Sequence, residues 1–299
     1  MGTSQTTTDI IKGSAVAKEL RATLKGHVQE LTARGITPQL GVILVGGFAP
    51  SQIYVKYKTR AADEIGIKTV IHRFPPSVAL SELYACVDEM NADPLTHGIL
   101  VQLPLPDHLS AQEAWSVVER VDPRKDVDGL HPINLGRIGV TSSPEQALSS
   151  GFIACTPLGC LTLLQRTMGD LSGKRAVVVG RSRIVGRPMA ALLNAANATV
   201  TICHSRTREL SDHLKHADIV IAAAGVPGLI KRDMLSSEAV VLDVGIHRLD
   251  DGSLCGDVAS DVRGRVRAIS PVPGGVGPMT IASLMSNVHL AALRQSRSL

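Results

Sequence analysis

The stretch "KRAVVVGRSRIVGRP", residues 174–188, decides the fold because it has the layout of a dinucleotide-binding turn. An apolar strand comes first, Gly180 follows at its end, and Gly186 opens a helix whose N-terminus can meet a phosphate. Ser182 stands where the middle glycine of the G-x-G-x-x-G fingerprint would be, so the motif is degenerate. The alternative is an ordinary strand-to-helix turn in a parallel sheet.

Apolar strands alternate with helical segments on both sides of this turn. In the first half the predicted strands are "QLGVILVGG" (39–47), "IKTVIHR" (67–73) and "HGILVQLPLP" (97–106). In the second half they are "KRAVVVG" (174–180), "ATVTICH" (198–204), "ADIVIAAAG" (217–225) and "AVVLDVG" (239–245). Strands that are apolar on both faces indicate parallel sheets covered by helices. We therefore predict an α/β protein with two such units, separated by a Pro-, Gly-, Asp- and Ser-rich linker or functional loop region at 121–156.

The composition is that of a globular protein with a small anionic ligand. The chain has 299 residues, of which 44% are hydrophobic and 19% charged, which suffices for two domains with real cores. Its net charge of +4 is mild, and its Lys and Arg residues are scattered, with only 2% aromatic residues. Nucleic-acid binders usually combine clustered cations with stacking aromatics. We therefore expect a phosphorylated small molecule and no nucleic-acid partner.

The cysteines and the start of the chain indicate a reducing compartment. The five cysteines form no C-x-x-C pair and no regular framework, so neither a zinc site nor disulfides are expected. No apolar run approaches the roughly 18 residues of a membrane span, and "MGTSQTTTDI" lacks the hydrophobic core of a signal peptide. The expectation is a cytoplasmic protein with no membrane partner.

The segment "SQIYVKYKTRAADEIG", residues 51–66, predicts a helix with a lysine on its apolar face. On helical spacing Lys58 lies in one stripe with Tyr54 and Ile65. Burial disfavours the charged ammonium form, which suits a lysine to proton transfer near neutral pH. The alternatives are a lysine that extends its head to water and a tyrosine that is simply a core aromatic.

Polar groups follow the third predicted strand. Gln102 ends that strand, and ligands of α/β sheets bind beyond the carboxyl ends of strands, so its amide is placed to bond a lysine amine or a substrate. Asp126, Asp128 and His131 in "KDVDGLHP" resemble metal ligands superficially. Without a further cluster of ligands no metal is expected, and substrate anchoring or turn capping are the remaining options.

The choice of nucleotide follows from the strand after the glycine turn. NAD enzymes place an acid at the end of that strand to bind the ribose 2′-hydroxyl. Here the strand ends "ICHSRT", with no acid, while Ser205, Arg206 and Arg181 supply a hydroxyl and two cations. That set favours a 2′-phosphate and predicts NADP over NAD. The alternative is that both arginines are solvated surface charges.

Eight motifs in order, between about residues 40 and 285, carry a family resemblance. They are "SQIYVKYK", "GILVQLPLP", "KDVDGLHPINLGR", "CTPLGCLTLL", "VVVGRSRIVGRPM", "ATVTICHS", "LDVGI" and "PVPGGVGPMT". Together they closely resemble the methylenetetrahydrofolate dehydrogenase/methenyltetrahydrofolate cyclohydrolase family. A Tyr-x-x-x-Lys pair also occurs in short-chain dehydrogenases, but there it follows the nucleotide fold, whereas Tyr54 and Lys58 precede it. One departure is Ala49-Pro50, where members commonly read Pro-Ala; we attach no functional change to it.

The resemblance implies a fold and two reactions. The fold is α/β with two domains: an N-terminal α/β catalytic domain (1–153) and a Rossmann-like doubly wound NADP-binding domain (154–280), with the cleft between them as active site. The helix 281–299 would pack back on the first domain. The enzyme would oxidise 5,10-methylenetetrahydrofolate with NADP and hydrolyse the methenyl product to 10-formyltetrahydrofolate, as a homodimer in one-carbon metabolism and purine biosynthesis.

The resemblance also assigns residues. Lys58 would be the central catalytic group, Tyr54 would orient the folate, and Gln102 would hydrogen-bond Lys58 and help keep it uncharged. Asp128 would accept hydrogen bonds from the pterin. Further substrate contacts would be Leu103, Pro273, Gly274 and Gly275. The cofactor contacts would be Thr156, Gly180, Arg181, Ser182, Ile184, Val185, Ser205, Arg206, Ile246 and Thr280.

Two other functions fit parts of the sequence. The nucleotide half alone would serve an NADP dehydrogenase acting on another small substrate, and an NADP-binding protein without catalysis would share the same turn. A generic dehydrogenase has no reason to carry the set Tyr54, Lys58, Gln102 and Asp128. That set favours the bifunctional folate enzyme.

Overall fold

A computed structural model describes residues 7–296 of the chain and divides them into two compact units. The three-stranded unit comprises residues 18–137, 150–155 and 281–296. The six-stranded unit comprises residues 7–17, 138–149 and 156–280. The first residues, on which part of the expectation about targeting segments rests, lie outside the described range.

The three-stranded unit is built on a small parallel sheet of order β3-β2-β4. Its strands are β2 (Gln39–Val45), β3 (Lys68–Phe74) and β4 (Gly98–Val101). All seven residues of the central strand β2 are buried, as its uninterrupted apolar run predicts for a strand covered on both faces. The carboxyl ends of β2 and β4 lie side by side, because Ile43 is in register with Val101.

Helices flank this sheet along the chain. They are α1 (Gly13–Ala33), α2 (Ala49–Ile65), α3 (Leu80–Ala92) and α4 (Ala111–Glu119), preceded by the two-residue strand β1 (Asp9–Ile10). Helix α2 has Pro50 in its first turn, where no backbone donor is lost, and ends at Gly66 with φ of 87°. Helix α4 begins with a capping box between Ser110 and Glu113. Helix α4 was not predicted from the sequence.

Two short helices occupy the region predicted to be a linker or functional loop. They are α5 (Pro132–Val140) and α6 (Pro144–Ser150). Before them the chain forms a single parallel bridge between Ile99 and Asp126, which continues the hydrogen bonding of β4. The segment at 121–131 is therefore tied to the sheet edge and is an ordered loop.

The six-stranded unit contains a parallel sheet of order β1-β11-β8-β7-β5-β6. Its strands after β1 are β5 (Arg175–Val179), β6 (Thr199–Cys203), β7 (Ile219–Ala222), β8 (Val240–Asp243) and β11 (Ala268–Ile269). Its helices include α7 (Cys155–Met168), α8 (Gly186–Ala195) and α9 (Leu210–Leu214), and β9 (His247–Arg248) with β10 (Leu254–Cys255) forms a small hairpin.

The strand order reverses at β5. The chain moves from β5 to β6 on one side and then returns to place β7 on the other side. In open α/β sheets this switch point, at the carboxyl ends of the strands, is where ligands bind. Gly180 follows β5 directly at this point. The predicted α/β class with a doubly wound nucleotide sheet is confirmed.

The structure differs from the expected domain boundaries at the N-terminus. Strand β1 pairs in parallel with β11, so residues 9–10 belong to the six-stranded sheet, whereas the sequence division grouped 1–153 together. Thr8 Oγ1 also donates to Val266 O, across 258 residues. A two-residue strand carries no readable hydrophobic period, and nothing local in the sequence marks so distant a partner.

The last helix, α10 (Val276–Gln295), is long and apolar, contrary to the expectation that no run approaches the length of a membrane span. By length and composition alone, with a mean hydropathy of 1.2 over 18 residues, it could cross a membrane. Within the protein, 56% of that window is buried. Leu284, Met285 and Val288 pack in the core that contains Leu40 and Val42 of β2. Helix α10 is thus a core helix, and these apolar side chains pack inside the three-stranded unit.

Candidate functional site

Lys58 is buried in the apolar face of α2. The buried side chains of this helix include Val55, Lys58, Ala62 and Ile65, and Lys58 is only 8% exposed. Its amino group does not extend to solvent, and Nζ donates a hydrogen bond of 2.9 Å to Gln102 Oε1. The structure therefore supports the hypothesis of a buried lysine and excludes a lysine whose amino group extends to water.

Gln102 is held in one orientation at the end of β4. Its backbone N–H donates to Ile43 O at 3.0 Å, and its side-chain Nε2 donates to Leu103 O at 2.7 Å. With the nitrogen engaged there, the amide oxygen is the atom that faces Lys58. The peptide bond that follows, Leu103–Pro104, is cis. Lys58 therefore has a neutral acceptor as its partner instead of a carboxylate.

Tyr54 and Ser51 lie on the turns of α2 that precede Lys58. Tyr54 is 37% exposed, so it is not a core aromatic, and burial of the rest of the ring raises the pKa of its hydroxyl. Ser51 is 2% exposed, and its hydroxyl has no hydrogen-bond partner among the described residues. A buried polar group normally has a partner. Ser51 was not predicted as a site residue, although its spacing of seven residues from Lys58 places it on the same face.

Asp128 lies beside Cys155, whose thiol is also influenced by the charge of Lys58. Its carbonyl accepts from Cys155 N at 3.2 Å, and the Cys155 thiol donates to Val127 O at 3.3 Å. Burial first, and then the charge of Asp128, raises the pKa of the Cys155 thiol well above its usual range, while the charge of Lys58 acts in the opposite direction. The structure thus brings Lys58, Gln102 and Asp128 together in one unit.

Asp126 and His131 cap the loop that carries Asp128. The Asp126 carboxylate accepts from Leu130 N at 3.2 Å, His131 N at 2.8 Å and Asn134 Nδ2 at 2.8 Å, and burial raises its pKa. His131 bonds Glu119 O through Nε2 and accepts from Ile133 N through Nδ1. Over residues 7–296 no group of three or more His, Cys, Asp or Glu side chains is arranged to hold a metal ion. For Asp126 and His131, turn capping is the role that the geometry supports.

The "PVPGG" segment belongs to the six-stranded unit. The peptide bond Val272–Pro273 is cis, and Gly274 has φ of 98°, which favours glycine. Gly274 O accepts from Ser14 N at 3.0 Å, and a Cβ on Gly13 would lie 1.9 Å from Gly275 O. The backbone at Gly274 and Gly275 is therefore fixed against the residues that follow β1.

The nucleotide turn needs both of its glycines for close packing. Gly180 has φ of 130°, and a Cβ there would lie 2.0 Å from Ala223 O. A Cβ on Gly186 would lie 2.2 Å from Gly180 O. Ser182 Oγ accepts from Val185 N at 3.2 Å and from Gly186 N at 3.3 Å, so the serine caps the start of α8. A degenerate fingerprint therefore still forms the turn that a pyrophosphate requires.

The side chains expected to contact the cofactor surround this turn. At the end of β6, Ser205 and Arg206 are exposed beyond buried Cys203, and Arg181 is exposed after Gly180. Ile246 is 50% exposed after β8. Thr156 and Thr280 hydroxyls are 3.0 Å apart. The carboxyl edge of the sheet thus presents cations and hydroxyls, and residues 204–208 contain no carboxylate.

These features define a two-unit α/β enzyme of the dinucleotide-dependent class, with a buried lysine–amide pair in one unit and a glycine turn at a strand-order switch in the other. The chain belongs to the tetrahydrofolate dehydrogenase/cyclohydrolase family. Residues 11–128 match the catalytic domain of that family, and residues 154–296 match its NAD(P)-binding domain. The family predicted from the sequence motifs is confirmed.

Close relatives match nearly the whole chain. The bifunctional protein FolD of Polynucleobacter asymbioticus is 47% identical over 289 residues, which cover 96% of this chain and 98% of that protein. The crystal structure of the bifunctional enzyme FolD from Campylobacter jejuni is similar with a TM-score of 0.91 at 43% identity, covering 96% of this chain and 99% of that one. The Trypanosoma brucei enzyme, solved with NADP and an inhibitor, has a TM-score of 0.89 at 35% identity. The match covers 97% of this chain and 99% of that one.

Proposed function

We propose that this protein oxidises 5,10-methylenetetrahydrofolate with NADP and hydrolyses the resulting 5,10-methenyltetrahydrofolate to 10-formyltetrahydrofolate. The observation that carries the proposal is the buried Lys58, hydrogen-bonded at 2.9 Å to an uncharged amide oxygen. Membership of a family described as dehydrogenase and cyclohydrolase supplies the two reactions. The relatives described as bifunctional support both activities in one chain.

In the hydrolytic reaction, water adds to the methenyl carbon, and the bond from that carbon to N5 breaks. One proton of the water ends on N5, and the other is released as the carbonyl of the formyl group forms. The Lys58 amine is assigned to take the proton from water and to deliver it to N5. Gln102 supports this role, because an amide oxygen accepts from either form of the lysine without fixing the ammonium by an opposite charge.

In the oxidative reaction, bound NADP supplies the acceptor for the hydride that leaves the methylene carbon. The chain's part is to hold the cofactor. Gly180 and Gly186 have no room for a Cβ, which keeps the strand, the turn and the start of α8 closely packed, and the N-terminus of α8 is assigned to the pyrophosphate. Arg181, Ser205 and Arg206 are assigned to the 2′-phosphate, since residues 204–208 contain no carboxylate to bind a free 2′-hydroxyl.

The folate itself is assigned to the polar groups around Lys58. Asp128 would accept hydrogen bonds from the pterin N–H groups, and the half-exposed Tyr54 ring would pack against the folate. The unpartnered hydroxyl of Ser51 supports a ligand beside this face of α2, because a buried donor without a partner is costly. Leu103, Pro273, Gly274 and Gly275 complete the proposed substrate contacts.

The setting of the enzyme is part of the proposal. The three-stranded unit would serve folate chemistry and the six-stranded unit would bind NADP, in the cytoplasm, without membrane or nucleic-acid partners, in support of purine biosynthesis. All five cysteines are unpaired thiols, which suits a reducing compartment. Strand β6 is an edge of its sheet and exposes Thr201 and Ile202, which supports homodimer formation through this edge.

The test is a pair of spectrophotometric assays on one purified sample. We expect formation of methenyltetrahydrofolate from methylenetetrahydrofolate with NADP, slower with NAD, and hydrolysis of methenyltetrahydrofolate without any nucleotide. A folded sample that reduces neither nucleotide and does not hydrolyse the methenyl compound would overturn the proposal. A clear preference for NAD would overturn the cofactor assignment alone.

A further inference from the structure

We propose that His247 and Asp257 are positioning residues that tie together the two loops beside the nucleotide turn and thereby set the affinity for NADP. Neither residue is among the cofactor contacts expected above. This inference rests on the proposed function, since it assigns an affinity to the same cofactor. It concerns the six-stranded unit alone, and its two loops follow the carboxyl ends of β7 and β8.

Asp257 is a fully buried carboxylate with four donors around it. Its exposed fraction is 0%. Oδ2 accepts from Ala224 N at 2.6 Å and Gly225 N at 2.9 Å, and Oδ1 accepts from Val226 N at 3.1 Å. His247 Nε2 lies 2.8 Å from Oδ1, and since a carboxylate only accepts, this nitrogen carries the hydrogen. Three successive backbone donors of one loop and one side chain of another therefore converge on a single group.

The first of these loops forms a wall of the nucleotide turn. Ala223 N donates to Val179 O at 2.8 Å, and a Cβ on Gly180 would lie 2.0 Å from Ala223 O. The loop at 223–226 therefore contacts the glycine where the pyrophosphate is expected. A shift of this loop by a few tenths of an ångström changes the space at Gly180 directly.

The second loop carries an expected cofactor contact. Ile246, half exposed, directly precedes His247. Because the His247 ring is anchored on Asp257, the backbone next to Ile246 has a defined position relative to the loop at 224–226. The hydrogen bond between His247 and Asp257 is thus a side-chain link between the two segments that would enclose the cofactor.

A second carboxylate fixes Asp257 in turn. Asp243, at the end of β8, accepts from Gly245 N at 3.1 Å and from Asp257 N at 2.9 Å through Oδ1, and from Val258 N at 3.0 Å through Oδ2. A Cβ on Gly245 would lie 2.3 Å from Asp257 Oδ1, and one on Gly256 would lie 1.9 Å from Asp243 Oδ2. The cluster is closely packed, so a lost hydrogen bond is transmitted to the loops.

The experiment compares His247→Leu with His247→Gln by measuring the dissociation constant of NADP and NADPH without folate, by calorimetry and by NADPH fluorescence. We expect H247L to weaken binding about tenfold, as for the loss of one charge-assisted hydrogen bond. The Gln side chain retains a donor at similar reach, so H247Q should stay within about threefold of the parent protein. Hydrolysis of methenyltetrahydrofolate, which needs no nucleotide, should be unchanged in both variants.

His213→Leu, on the exposed side of α9, is the matched control and should bind NADP like the parent protein. Unchanged NADP binding in folded H247L would overturn the inference. An equal loss of NADP binding and of hydrolysis would also overturn it, because that result indicates general unfolding. If H247L does not fold, His247→Asn is compared with H247Q instead. The Asn side chain is too short for its amide to reach Asp257, so the hydrogen bond is again lost. Failure of the parent protein itself to bind NADP would reject the proposed function instead.

Discussion

Lys58 and Gln102 come from different elements, helix α2 and the end of β4, and are joined by one hydrogen bond of 2.9 Å in a buried environment. A buried lysine is usually paired with a carboxylate, which holds it as an ammonium. Here the partner is an amide whose nitrogen is engaged by Leu103 O. The buried lysine therefore has an uncharged hydrogen-bond acceptor as its partner.

Replacing Lys58 by Met tests this relationship. Methionine fills a similar volume in the apolar stripe but cannot carry a proton, so we expect hydrolysis of methenyltetrahydrofolate to fall by at least about a hundredfold. The dissociation constant of NADP should be unchanged, because Lys58 lies in the other unit. The control is Lys56→Met, an exposed lysine of the same helix. Full hydrolytic activity in K58M would refute the role assigned to Lys58.

Removing the two arginines near the expected 2′-phosphate should erase the cofactor preference. In the double variant R181A/R206A, we expect KM for NADP to rise about tenfold or more, because two charge-assisted contacts are lost. KM for NAD, which lacks that phosphate, should change little. Arg175→Ala, at the other end of β5, serves as the control. Equal rises for both nucleotides would show that these arginines are not specific for the phosphate.

Asp126→Ala should destabilise the protein more than its side-chain size suggests. The change leaves Leu130 N, His131 N and Asn134 Nδ2 without their buried acceptor. We expect the free energy of unfolding to fall by about 3 kcal/mol, measured by urea denaturation. Asp107→Ala, at an exposed site, should change it by less than about 0.5 kcal/mol. Similar midpoints for the two variants would contradict the capping role of Asp126.

Asp243 should make stability depend on pH in a specific direction. Burial raises the pKa of its carboxyl to about 6, whereas an aspartate in an unfolded chain titrates near about 4. Between these values the folded state holds a proton that the unfolded state has released. The resulting stabilisation is therefore complete below about pH 4 and is lost as pH rises through about 6.

The measurement compares the parent protein with Asp243→Asn, which cannot titrate at this position. The difference in their unfolding free energies should shift by about 1 kcal/mol in favour of the parent protein when pH falls from 7.5 to 5. Other titrating groups are common to both proteins and cancel. A difference that stays constant with pH would show that Asp243 does not titrate in this range.

The parts of the molecule that repeat a local pattern were predictable from the sequence. The fully buried β2 follows from its apolar run, and the position of Lys58 follows from helical spacing. The turn at Gly180 and Gly186 was recognisable although Ser182 replaces a glycine. The Ser182 hydroxyl bonds only to the nearby Val185 N and Gly186 N, so the replacement leaves the strand–turn–helix pattern intact.

Groups whose partners are distant were not predictable. Asp257 meets Ala224 N across 33 residues, and no period or motif marks that contact. Strand β1 is too short to show alternation, and its register with β11 depends on the whole sheet. Helical spacing places Ser51 on the face of Lys58, but only the folded surroundings show that its hydroxyl has no partner within the described chain.

The pairing of β1 with β11 also bears on how the chain is made. During synthesis β1 emerges first, but its partner strand follows more than 250 residues later, as the hydrogen bond from Thr8 to Val266 illustrates. The second half of α10 likewise returns to Val127, where Asn287 donates at 2.8 Å across 160 residues. Neither unit is a continuous segment of the gene. Expressing residues 1–153 and 154–299 as separate proteins would leave each with an unfinished sheet or core, whereas mixing the two fragments could restore both by complementation.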